Sequence, residues 1–326
     1  MQRNNYIDLM KAVSIFGVVW IHGASILGGS DFTSFVSDAF RFAVPAFIIF
    51  WAYFFEKSFS RASGSRLTFL ANRFSDLFVV FLIWSVLYFL VLADFDNLSF
   101  SSTITRHFSG YGWSGQYFFI ILFQLILFYS IIRWAYSVAY IRFLCITVCV
   151  VLYFWLGYFG SSVPDLVWKL GDRLFVYWIP YVFVGIYFAR REVGKEFSFL
   201  WCILPLLIPL EFNLLSDLGR DHGPYVTPMV LLCSILVTIP FLSVNYHVKR
   251  LRLYPIVEFL GTNTMIVFVM NAIVVIILRD LFSPFVFYSD GFWVVFSSIL
   301  STVSCIVPCL LFGYFINKSR LKGILN

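Results

Sequence analysis

The segment from Tyr6 to Ile26 reads YIDLMKAVSIFGVVWIHGASI, apolar enough to cross a bilayer yet carrying Asp8, Lys11 and His22. A charged Asp or Lys at the centre of a span costs about 2.5–3.5 kcal/mol on insertion scales, so these groups need a reason to be there. Their spacing supplies one. At about 100° per residue, Lys11 and His22 fall roughly 20° apart around the helix and about 16 Å apart along it. Asp8 lies about 60° from Lys11, and Ser14 and Ser25 extend the same stripe. A polar line on an apolar helix must face protein or a water-filled cavity, because lipid cannot solvate it. The pattern therefore predicts an ammonium and an imidazole lining one hydrated passage at different depths.

Composition places this segment in its setting. Of 326 residues, 61% are hydrophobic, 21% aromatic and only 12% charged, against about 45–50% apolar and 25% charged in soluble domains. A water-soluble domain is excluded. The expectation is an all-α, polytopic integral membrane protein, with residues 1–326 forming a single transmembrane unit. The first segment is too long and too charged for a cleaved leader and is expected to remain as the first span. Apolar runs of spanning length fall at Tyr6–Ile26, Phe40–Phe55, Ala71–Leu92, Tyr117–Trp134 and Ile141–Phe159. Five more follow at Arg173–Ala189, Phe197–Leu215, Val226–Val244, Met265–Leu278 and Phe292–Ile316, making about ten helices.

Lys and Arg residues concentrate on one side of this arrangement: Arg3, Lys57, Arg61, Arg66, Arg73, Arg133, Arg142, Arg190, Arg191, Lys195, Lys249, Arg250, Arg252, Lys318, Arg320 and Lys322. Arg41, Arg106, Lys169, Arg173, Arg220 and Arg279 fall on the other. The positive-inside rule then places both termini in the cytoplasm. The net charge of +6 reads as topological, not as a nucleic-acid surface. Basic loops beside a bilayer also attract anionic lipid, so membrane lipid is an expected partner. The six cysteines sit mostly in apolar runs, with no CxxC and no Cys/His cluster of ligand spacing, and no metal is expected.

The chemistry suggested by the first helix is group transfer. Histidine can take a proton from a hydroxyl at neutral pH. Lys11 can hold a phosphate or another anionic part of a donor, and Asp8, three residues before it, can orient the ammonium. Arg41, level with His22, is a candidate for binding an anionic sugar or steadying an oxyanion. Tyr117, with the neighbouring outer aromatics Tyr111 and Trp113, is a candidate for stacking on sugar rings. Gln124 and Asn271 lie inside apolar helices, where interhelical hydrogen bonding competes with substrate contact. Glu211 is an intramembrane carboxylate near an outer end and a secondary acceptor-side candidate. RDHG at Arg220–Gly223 holds adjacent Asp and His in a Gly/Pro loop, a poor arrangement for a catalytic pair.

Several of these segments resemble, in order, motifs of the membrane-bound acyltransferase-3 family, which includes O-acetyltransferases of bacterial surface polysaccharides. Ile7-Asp8-Leu9-Met10-Lys11 followed by His22 is similar to the family's opening Ile-Asp-x-x-Arg and its histidine eleven positions later. Arg41-Phe42-Ala43-Val44-Pro45-Ala46-Phe47 resembles the start of the second span, and Arg73 with Trp84-Ser85 the third. QYFFIILFQLILF (Gln116–Phe128) and LGTNTMIVFVMN (Leu260–Asn271) resemble the fourth and ninth. Departures are Lys11 in place of arginine, Asp76 where a second arginine is usual, Trp51-Ala52-Tyr53 in place of Ser-Gly-Phe, and Asn271 where a histidine is frequent. The resemblance implies acetyl-CoA as acyl donor, entering from the cytoplasm, with Arg73 gripping one of its phosphates. It implies as acceptor a sugar hydroxyl of a cell-surface glycan or its lipid-linked saccharide precursor, with His22 as general base or transient acyl carrier. The setting implied is the bacterial cytoplasmic (inner) membrane. Two other readings remain: a transporter or flippase-like member that moves a glycan for export without catalysis, and a structural partner in a polysaccharide synthase complex.

Overall fold

The described residues of the computed structural model are 5–92, 100–159, 163–164, 167, 171–191, 199–220, 223–243, 254–282 and 291–318. They form helices and no strands. The first half holds α1 (Asn5–Gly23), α2 (Asp31–Ala39), α3 (Ala43–Arg61), α4 (Arg66–Leu92), α5 (Phe100–Phe108), α6 (Gln116–Leu127), α7 (Tyr129–Ser137) and α8 (Ala139–Tyr158). The second half holds α9 (Ile179–Arg190), α10 (Leu207–Asp217), α11 (Pro228–Ser243), α12 (Tyr254–Thr262), α13 (Thr264–Phe282) and α14 (Phe292–Lys318).

Within the described residues each of the ten apolar runs overlaps helix, but the helix lengths differ. Among the described residues, seven helices are long and apolar enough to span a membrane, or eight if the bent pair α6–α7 counts as one. The helical segments Phe175–Arg190 and Pro228–Ser243 are apolar but shorter, each about 24 Å against a hydrocarbon core of about 30 Å. Of the ten expected spans, seven or eight reach spanning length among the described residues, with two shorter apolar helical segments beside them. The bend between α6 and α7 is 63°, and it falls at Phe128 in an unbroken apolar run, where no Gly or Pro signals it. The second expected span is also longer than read: α2, a short 3₁₀ turn at Phe40–Phe42 and α3 together cover Asp31–Arg61. Ser30 starts α2 by accepting a hydrogen bond from the Thr33 amide at 3.2 Å, the usual work of an N-terminal serine.

Burial separates the helices by role. In α1, 61% of the spanning window is buried, whereas in α8 the figure is 17%; α1 is the hub and α8 faces outward. Helix α1 touches α2, α3, α11, α12, α13 and α14. The most extensive helix pairing is α3 with α9, and it depends on Gly185. A Cβ there would stand 2.6 Å from the Ile49 carbonyl and from the Ala52 Cβ, so any larger residue would push the two backbones apart. Close approach through small residues is how membrane helices gain packing energy when lipid is as apolar as their side chains.

Candidate active site

The passage expected along α1 is divided: of the stripe, Lys11, His22 and Ser25 line three different cavities, and Asp8 and Ser14 are buried and line none of them. Lys11 lines a cavity of about 540 Å³ toward the end of the bundle where α1 begins. His22 lines another, of about 190 Å³, toward the opposite end. The same three neighbours wall both. On α13, Met265 and Phe268 face the first cavity while Ala272, Val275 and Arg279 face the second, one continuous stripe at helical spacing. On α4, Leu77 and Val80 give way to Tyr88 and Leu92; from the α6 side, Phe118 and Leu122 face the first cavity and Trp113 and Ser114 the second.

Packed side chains form the partition. Phe118 and Phe268 meet with ring centroids 5.1 Å apart, and Trp113 stacks on Tyr88 at 4.5 Å, nearly parallel. Gly115, which opens α6 at φ +94°, sits beside them; a Cβ there would lie 3.1 Å from the Phe268 ring. That left-handed backbone is one glycine adopts readily, and it lets the loop carry Ser114 toward His22 while Gln116 turns inward. The Gln116 amide donates to the Ser85 hydroxyl at 2.9 Å. The Tyr88 hydroxyl enters the ladder of α13, donating to the Val269 carbonyl at 2.7 Å and accepting from the Ile273 amide at 3.2 Å. It thus bridges a donor and an acceptor four residues apart that would ordinarily bond each other, a recognised cause of local helix bending.

The first cavity collects charge at an aromatic wall. Lys11, Arg73 and Asp76 line it with Phe47, Trp51 and Phe54. Arg73 is exposed, 3.7 Å from Asp76 and 5.3 Å above the Phe69 ring. The structure thus brings together the two cations expected to meet a donor, along with the carboxylate that the sequence places beside them. Asp8 is buried and does not line this cavity; its backbone carbonyl abuts Gly261 of α12.

In the second cavity, His22 is half-buried and the Ser114 hydroxyl lies 3.3 Å from Nδ1 and 3.4 Å from Nε2. The hydroxyl is within hydrogen-bonding distance of both ring nitrogens, and which of them it meets depends on the tautomer. Arg279 is the cation of this cavity. The sequence singled out His22 but counted Arg279 only among outer charges and passed over Ser114 and Tyr88.

On the other flank of α1, Trp20, Ile21 and Arg41 contribute to a cup of about 260 Å³ whose remaining wall is mostly hydroxyl-bearing: Ser25, Thr33, Ser34 and Ser37. Arg41 is held 3.8 Å from Asp38 and 5.7 Å from the Tyr225 ring. Its Nε is buried with no hydrogen-bond acceptor among the described residues. Tyr117 pairs with the same Tyr225, centroids 5.8 Å apart. Arg41 and Tyr117 are therefore neighbours through Tyr225, and neither lines the cavity that His22 lines.

The remaining candidates do other things. Gln124 ties a turn, donating to the Arg173 carbonyl at 2.8 Å and accepting from the Phe175 amide at 3.1 Å. Glu211 accepts from the Tyr158 hydroxyl at 3.0 Å and from the Met229 amide at 3.1 Å, placing a carboxylate at the positive N-terminus of α11. The Asn271 amide bonds back to the Val267 and Phe268 carbonyls within α13, beside the partition. The pair Asp221–His222 lies outside the described residues. Among the described residues no group of three or more His, Cys, Asp or Glu side chains could hold a metal.

Glu56 went unnoticed in the sequence. It is 1% exposed, receives the Tyr129 hydroxyl at 2.8 Å, and pairs with Arg133 at 3.1 Å and Arg190 at 2.8 Å. It anchors α3, α7 and α9 at the end of the bundle that holds the first cavity. Outside the spans, Asp172 has its carboxyl pushed up by burial, against the opposing pull of Arg173 at 3.5 Å.

In comparison with known proteins, a family model described as an acyltransferase domain, that of the acyltransferase-3 family, matches residues 4–317. No curated protein and no solved structure matches the chain.

Proposed function

The chain belongs to the acyltransferase-3 family, and from that premise we propose that this multi-pass membrane acyltransferase moves an acetyl group from acetyl-CoA to a saccharide hydroxyl. The acceptor is a cell-surface polysaccharide or its lipid-linked precursor, the membrane is the bacterial inner membrane, and the end of the bundle holding Lys11 and Arg73 is cytoplasmic. The observation that carries this reading is the division of labour along one seam: two cations in the larger cavity, and an imidazole beside a hydroxyl and an arginine in the smaller one.

In this reading the anionic part of the donor rests against Lys11 and Arg73, and its pantetheine arm extends toward His22. The span between Lys11 and His22, about 16 Å along α1, calls for a long flexible arm, which coenzyme A has. The arm reaches the second cavity when the Phe118–Phe268 contact opens. His22 takes the proton of the acceptor hydroxyl as its oxygen bonds the thioester carbonyl carbon. Arg279 steadies the negative charge that develops on the carbonyl oxygen. The carbon–sulfur bond then breaks, and the departing sulfur takes the proton back from the imidazolium. Ser114 is a positioning residue whose hydroxyl lies within hydrogen-bonding distance of the imidazole. The hydroxyl-lined cup with Arg41, on another flank of α1, offers donors and acceptors suited to a more distant part of the acceptor saccharide.

Mass spectrometry of the surface glycan from cells making wild-type or His22→Ala protein at equal abundance tests this. Acyl esters should disappear with His22→Ala. Unchanged ester content overturns the proposal, and a drop in glycan export with esters intact favours the transport reading.

A further inference from the structure

A fourth cavity, of about 550 Å³, lies away from α1, between α8, α9 and α11. Its walls are apolar: Ile146, Pro180, Phe183, Val184, Ile235 and Ile239. Two arginines stand at one end of it. Arg142 donates to the Tyr136 carbonyl at 3.0 Å and lies 5.1 Å from the Tyr136 ring; Arg191 donates to the Tyr187 hydroxyl at 3.2 Å and lies 4.8 Å from that ring. Among the described residues that line the cavity there is no carboxylate.

The register of three helices fixes its orientation. Arg142 lies in the first turn of α8, Arg191 just past the end of α9, and Ser243 at the end of α11. All three mark the same end of the bundle, the one that also carries Lys57, Arg66, Arg73, Arg133 and Arg190. From Arg191 the cavity descends along α9 to Pro180, eleven residues and about 16 Å. That is half of a hydrocarbon core of about 30 Å. Two cations at headgroup depth above an apolar slot one leaflet deep match an anionic headgroup above an acyl chain. The two tyrosines hold the guanidiniums through ring contact while leaving other N–H groups to meet a phosphate bidentately.

We propose that this groove seats one anionic phospholipid of the leaflet at the basic end, its phosphate on Arg142 and Arg191 and a chain along Phe183, Val184 and Ile239. The site shares no lining residue with the cavities of Lys11, His22 or Arg41, and it stands independently of the acyl-transfer reading.

Native mass spectrometry of the full chain, delipidated in detergent and titrated with phosphatidylglycerol, phosphatidylcholine or a polyprenyl phosphate, reads the site directly. Wild type should retain one phosphatidylglycerol and not phosphatidylcholine. Arg142→Gln with Arg191→Gln should weaken retention about thirtyfold, two charges' worth of surface attraction; the double lysine variant should keep most of it. Val184→Trp, which fills the slot and leaves both charges, should abolish it. Unfolding temperatures in phosphatidylcholine nanodiscs should be alike for all variants, so that lost binding is not lost fold. Equal retention of phosphatidylcholine, undiminished binding in Val184→Trp, stronger retention of the polyprenyl phosphate, or a dimer that Val184→Trp dissociates would each overturn the proposal.

Discussion

The two cavities along α1 share the same three neighbours and differ in almost everything else. The one at Lys11 is nearly three times the volume, walled by aromatic rings and edged by Arg73 and Asp76. The one at His22 is small and holds an imidazole, a hydroxyl and a guanidinium. A large apolar chamber with cations at its edge suits a bulky anionic ligand held by its tail. The smaller chamber is mostly apolar as well, with Leu92, Trp113, Ala272, Val275 and Ile276 around its few polar groups, and in such surroundings each donor to a developing charge is worth more than it is in water. One helix can thus serve binding at one end and chemistry at the other, with the contact of Phe118 and Phe268 between them.

The sharpest way to break this comparison is at the chemical end. His22→Ala should lower turnover by at least about a hundredfold, the contribution expected of a general base, with donor affinity unchanged in equilibrium binding. Next in size is the Glu56 anchor. Glu56→Gln leaves Arg133 and Arg190 without their carboxylate and should destabilise the fold by about 2 kcal/mol, less than a fully buried pair because both guanidiniums are partly exposed. Thermal unfolding in detergent would show it; an unchanged midpoint would remove Glu56 from its anchoring role. At the binding end, Lys11→Ala should weaken acetyl-CoA about tenfold, one lost charge-assisted contact, while turnover at saturating donor survives. The smallest effect should come from the partition. Phe268→Ala should raise the rate with butyryl-CoA relative to acetyl-CoA several-fold, within the range that one or two methylenes command in an apolar pocket. No change in that ratio would place the acyl-size limit elsewhere.

The α1 stripe was legible because helical periodicity is local: eleven positions fix an angle and a rise whatever the rest of the chain does. Apolar run length likewise located every helix that was read. What it missed is non-local. Glu56 sits at the end of a span beside Lys57 and reads as an interfacial charge; its partners Arg133 and Arg190 are 77 and 134 residues further on, and no spacing rule connects them. Ser114 lies in a loop of Gly, Ser and Trp, and only the left-handed turn at Gly115 aims it at His22. The partition was invisible for the same reason: Phe118 and Phe268 are two phenylalanines among 41. Glu211 and Gln124 show the reverse. Glu211 reads as a secondary acceptor-side candidate and Gln124 as a group for which hydrogen bonding between helices competes with substrate contact; in the structure each accepts from a backbone amide at a helix start or turn.

The central claim is that binding and chemistry are separated along α1. Single-turnover transfer of labelled acetyl from acetyl-CoA to acceptor glycan, with purified protein in nanodiscs across a range of donor concentrations, tests it most directly. Lys11→Ala should approach the wild-type rate as donor rises, and His22→Ala should stay inactive at every concentration while still binding donor. Transfer by His22→Ala at the wild-type rate, or a Lys11→Ala defect that no donor concentration relieves, would contradict the account.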